Sequence, residues 1–69
     1  MKEVKENSVK RADLIDEINQ VESVLLSSYK NMQLVEEEGL LDYYAYKIKS
    51  EEAKHEYLMR KIKELEIEL

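Results

Sequence analysis

Glu36-Glu37-Glu38-Gly39-Leu40-Leu41-Asp42 decides the fold of this 69-residue chain. Three consecutive carboxylates at the end of a helix oppose its macrodipole, whose C-terminal end already carries partial negative charge. Gly39, the only glycine, is the residue that can take a left-handed C-cap conformation at no steric cost. Leu40 and Leu41 then restart an apolar pattern, and Asp42 places a negative charge in a first helical turn, where the dipole favours it. One reversal between two helices is the expectation.

Both arms carry helical periodicity. Upstream, apolar residues recur at Leu14/Ile15, Ile18, Val21, Leu25, Tyr29, Met32 and Val35, with Val24, Leu26 and Leu34 off the stripe. Downstream, a 3-4 repeat runs Leu41, Tyr44, Ile48, Glu51, His55, Leu58, Ile62, Leu65, Leu69. A sister register runs Leu41, Ala45, Ile48, Glu52, His55, Met59, Ile62, and His55 belongs to both. The absence of Pro removes a common helix breaker and turn former. The pattern predicts a flexible tail over residues 1–8, with Asn7 or Ser8 as N-cap, then helix 9–37, turn 38–40 and helix 41–68. Each helix is then on the order of 40 Å long at 1.5 Å per residue.

Sixty-nine residues, 39% of them charged, leave little material for a closed core. Below about 70–80 residues a lone core rarely supplies more than about 3–5 kcal/mol. The expected fold is therefore an all-α antiparallel hairpin that dimerises into a four-helix bundle, a homo-oligomer of two or more chains. Ile18, Leu25, Tyr29, Met32, Ile48, Leu58 and Ile62 are the expected self-association residues.

Composition narrows the function classes. With no Cys, disulfides and thiolate metal sites are excluded. The net charge of −5 disfavours nucleic acid, and the basic run Arg60-Lys61-Ile62-Lys63 is flanked by Glu56 and Glu64. No apolar stretch is long enough for a membrane span, and the opening residues lack the apolar run of a signal peptide, so a cytoplasmic location is expected. No serine has a His at helical spacing and no Gly-rich phosphate loop exists, so nothing resembles a nucleophile with its base.

The polar residues inside the pattern carry the remaining information. For a reversal near Glu38–Gly39, residue i faces roughly residue 77 − i. This places Glu22 opposite His55, while Glu52 shares a helix face with His55 three residues away. A Glu-x-x-His on one helix with a Glu from its neighbour is half of a carboxylate-bridged di-iron site, which a two-fold dimer would complete. Carboxylates and one neutral imidazole per metal suit iron or manganese. The alternative is a Glu–His layer that fixes helix register with no cofactor. Tyr43, Tyr46 and Tyr57 form a further face, either exposed helix surface or a contact for a protein partner.

Two resemblances accompany these residues. Leu40-Leu41-Asp42-Tyr43-Tyr44-Ala45-Tyr46-Lys47-Ile48, followed by Glu52-Ala53-Lys54-His55-Glu56-Tyr57-Leu58, resembles the YaaL-like family of small bacterial proteins. That resemblance implies a helical hairpin and no assigned activity. Glu22, Tyr29, Glu52 and His55 are similar in type and spacing to the metal-site pattern of encapsulated ferritins, which implies iron binding and ferroxidase chemistry. Two functional expectations result. The leading one is a non-enzymatic, oligomeric helical-hairpin interaction protein. The other is a ferritin-like iron or manganese binder with Glu22, Glu52 and His55 as ligands.

Overall fold

A computed structural model describes the backbone of residues 2–68 and the side chains of residues 10–66. It is all-helical: α1 spans Lys2–Leu34 and α2 spans Glu38–Glu68, packed antiparallel as a hairpin. The helices have 33 and 31 residues, and the longest dimension of the Cα trace is 55 Å.

Three boundaries differ from the sequence expectation. α1 begins at Lys2, so residues 2–8 are helical rather than a tail, and Asn7 and Ser8 lie inside the helix instead of capping it. Lys and Glu are good helix formers, and no Pro or Gly interrupts them, so the helix extends without a cap. The reversal lies at residues 35–37, not at 38–40. Gly39 has an ordinary helical backbone in the first turn of α2, with no positive φ.

The acidic run explains the shift. The Val35 N–H donates to the Asn31 carbonyl at 3.1 Å, closing α1, and the Glu37 carbonyl accepts from the Leu41 N–H at 3.0 Å, opening α2. Glu38 therefore stands in the first turn of α2, where its charge meets the positive end of the helix dipole. Carboxylates that would burden the end of α1 support the start of α2.

Ile18, Val21, Leu58 and Ile62 form the core cluster, with Leu14 and Leu25 packed against it, and Ile48 is buried nearer the turn. On α1 the seam follows a strict 3-4 succession of Leu14, Ile18, Val21, Leu25, Ser28, Met32 and Val35. On α2 it follows Leu41, Tyr44, Ile48, Glu51, His55, Leu58, Ile62 and Leu65, all buried or half-buried. Leu69 lies outside the described residues. An exposed Arg11–Glu66 ion pair at 3.3 Å joins the helices near the open end.

Candidate metal-binding flank

The 3-4 seam dictates what points elsewhere. His55 belongs to the seam of α2 and is half-buried, whereas Glu22 follows seam residue Val21 and projects about a quarter-turn away from it. His55 Nε2 lies 3.5 Å from Glu22 Oε2, with the two side chains 30% and 58% exposed. This is ion-pair range when the imidazole carries a proton, and longer than an ordinary N–H···O hydrogen bond. The facing of Glu22 and His55 read from the sequence is thus present in the structure.

Helical spacing extends the flank in both directions from this pair. Ile15 and Tyr29 lie seven residues on either side of Glu22, and Leu26 lies four beyond it. Met59 follows His55 by four residues and Glu52 precedes it by three. Ile15, Leu26, Tyr29 and Met59 are all exposed large hydrophobics. The Glu22–His55 contact therefore sits in the middle of an uncovered flank with apolar residues above and below it.

The remaining expected residues divide. Glu52 is exposed on the same flank of α2, and among the described residues no three acidic or imidazole groups converge within one chain. Of the seven expected self-association residues, Ile18, Ile48, Leu58 and Ile62 are buried between the two helices of one chain. They fill the interior of the hairpin, where the apolar stripes of the two helices exclude water by packing on each other. Leu25 and Met32 are half-buried, and only Tyr29 stands free. Tyr43, Tyr46 and Tyr57 are exposed as read, Tyr46 most of all, and the Tyr43 ring meets Tyr44 edge-on with centroids 5.0 Å apart.

Two features escaped the sequence reading. Ser28, rather than Tyr29, occupies the seam; it is fully buried and its hydroxyl has no hydrogen-bond partner. The signal was available, because Ser28 continues the strict 3-4 succession through a polar residue. The second is an open groove of about 490 Å³ near the open end, lined by residues of both helices and by neither His55 nor Glu22. Leu14, Leu58 and Leu65 form its apolar lining and Tyr57 one of its walls.

No protein-family model, curated protein or solved structure matches this chain. Among the described residues, no helix is long and apolar enough to cross a membrane.

Proposed function

We propose that the hairpin self-associates through the flank bearing Ile15, Leu26, Tyr29 and Met59, and that Glu22, Glu52 and His55 on this flank bind iron or manganese between two copies. The observation that carries this reading is the 3.5 Å approach of Glu22 to His55 on an accessible, apolar-flanked surface. A register-fixing pair acts by being enclosed, since a wrong register then strands a polar group away from water. At 30% and 58% exposure this pair exerts little such control within one chain.

A second copy would change that. Docked on a two-fold axis near Glu22 and His55, it doubles the donor set to four carboxylates and two imidazoles, the composition of a di-metal carboxylate site. Hard carboxylate oxygens with one imidazole per metal favour iron or manganese and leave coordination positions open. The resemblance to encapsulated ferritins points to ferrous iron as the ion handled. The exposed apolar side chains supply the burial that holds the copies together.

A second reading, a non-enzymatic interaction hairpin, is favoured by the exposure of Glu52 and the lack of three converging ligands in one chain. Anaerobic titration with Fe²⁺ or Mn²⁺, followed by elemental analysis of the washed protein, separates the two. The metal reading expects about one ion per chain, lost in His55→Ala and in Glu52→Ala. A self-associated protein that takes up no ion leaves the interaction reading standing.

A further inference from the structure

One stripe of α2 separates its charges by sign. Tyr43, Lys47, Ser50, Lys54, Tyr57 and Lys61 follow a strict 3-4 succession, each one residue before a seam position. A step of one residue is about 100° of helix, so Glu52 and Glu56, which each follow a seam residue, lie on the other side. Glu51, the remaining acid between Tyr43 and Lys61, is half-buried in the seam itself. The stripe thus holds three lysines and two tyrosines and no carboxylate, in a chain of net charge −5. Exposed Tyr46 and Arg60 adjoin its outer edge.

The residues that precede the seam of α1 share this side, because the groove joins Asp13 and Glu17 to Tyr57, Lys61 and Glu64. Its two ends differ. At the open end Asp13, Glu17 and Glu64 accompany Lys10 and Lys61, and Lys61 is engaged, 3.4 Å from Glu64 and over the Tyr57 ring at 5.6 Å. Nearer the turn the acids stop. The Arg11–Glu66 and Glu22–His55 pairs set residue i level with residue 77 − i, so Lys54 and Lys47 are level with positions 23 and 30 of α1. There α1 presents Gln20, Val24, Ser27 and Asn31, none of them charged. Lys47 lies over the Tyr43 ring at 5.6 Å, and among the described residues neither Lys47 nor Lys54 makes an ion pair, even with nearby Glu51. Two cations thus stand without counter-charge between exposed Tyr43 and Tyr57, beside a leucine-lined groove.

We infer that this side docks an acidic helix of a partner protein, laid along α2 with carboxylates on Lys47 and Lys54 and apolar side chains in the groove beside Tyr57. The spacing selects a helix. Lys47, Lys54 and Lys61 stand seven residues apart, about 10.5 Å, the repeat at which one helix presents the same face to a neighbour. A nucleic-acid strand instead carries a charge roughly every 3.4 Å, far more than these lysines neutralise on an acidic protein. A flat anionic membrane would press Asp13, Glu17 and Glu64 against its headgroups. A short acidic helix meets the two free lysines and leaves the open-end acids to its own uncharged turns. Tyrosine and arginine, both present here, are enriched at protein interfaces.

Fluorescence anisotropy at low salt tests this with a labelled synthetic helix of about three heptads, a leucine stripe flanked by one glutamate per heptad. The protein is expected to bind it at least about tenfold more tightly than the same peptide with lysines for glutamates, whereas net charge alone predicts the opposite preference. Lys47→Glu/Lys54→Glu abolishes binding, and Lys54→Gln alone, at an exposed position, weakens it about threefold. Lys49→Glu/Lys63→Glu makes the same net-charge change at positions that follow the seam, and retains binding. Leu26→Glu also retains it, so this result is separable from self-association through the metal-binding flank. Raised salt weakens the complex, since these lysines are accessible to solvent. A preference for the lysine peptide, equal loss in the control pair, or tighter binding of oligouridylate or phosphatidylserine vesicles would each overturn the inference. So would weaker self-association of Lys47→Glu/Lys54→Glu on its own, which would assign this side to a second copy.

Discussion

Val21 and Leu58, each only 2% exposed, close the core between α1 and α2 from opposite sides, and each stands next to or one turn from a member of the Glu22–His55 pair. Val21 immediately precedes Glu22, and Leu58 follows His55 by three residues. The most secure packing in the hairpin therefore supports the two side chains offered as ligands. Holding ligands on rigid helices beside a packed core keeps their geometry narrow.

Leu58→Ala removes the centre of this cluster. Large-to-small core changes of this kind cost about 2–5 kcal/mol, comparable with the whole stability expected of a chain this size. The variant is expected to lose most of its helical circular dichroism at micromolar concentration. A melting curve superimposable on wild type would show that the core lies elsewhere.

Gly39→Ala should stabilise the protein. Gly39 is helical, its φ is not positive, and an added Cβ would meet nothing within 4 Å. Replacing a helical glycine by alanine gains roughly 0.5–1 kcal/mol through the lower entropy of the unfolded chain. Urea denaturation followed at 222 nm reads the shift in midpoint. A lowered midpoint would mean that the residue serves as a left-handed cap after all.

Ser28→Ala should also stabilise, or at worst be neutral. Its hydroxyl is fully enclosed and unpartnered, and a buried polar group without a hydrogen bond costs on the order of 1–3 kcal/mol. Alanine keeps the small volume that lets the helices approach. Loss of stability in this variant would reveal that the hydroxyl has a partner in solution, such as an ordered water.

Leu26→Glu tests the metal-binding flank. Leu26 is 59% exposed, so a single hairpin tolerates the charge. Two copies packed through that flank would enclose it without a counter-charge, which weakens association by at least about tenfold, or 1.4 kcal/mol. Sedimentation equilibrium on metal-free protein isolates this apolar contact from any association held by metal. An unchanged dissociation constant would place the contact on another face.

Arg11→Ala is expected to be nearly silent. The Arg11–Glu66 pair spans the helices at 3.3 Å, but both side chains are about half exposed, and such pairs contribute about 0–1 kcal/mol. A thermal melt shifted by more than a few degrees would show that the open end of the hairpin is held more tightly than this geometry implies.

Local pattern alone determined that the chain is two helices with one reversal, because periodicity and helix propensity are properties of neighbouring residues. It also placed Glu22 level with His55, since a hairpin of two uniform helices keeps a constant offset between facing residues. The tertiary structure decided what local pattern leaves degenerate. Leu14 and Ile15, or Ser28 and Tyr29, are one residue apart on α1, and only packing against α2 selects which of each pair enters the seam and which faces outward. The turn moved ahead of Gly39 for a related reason: the same carboxylates are unfavourable at one helix end and favourable at the next, and the choice depends on where both helices stop.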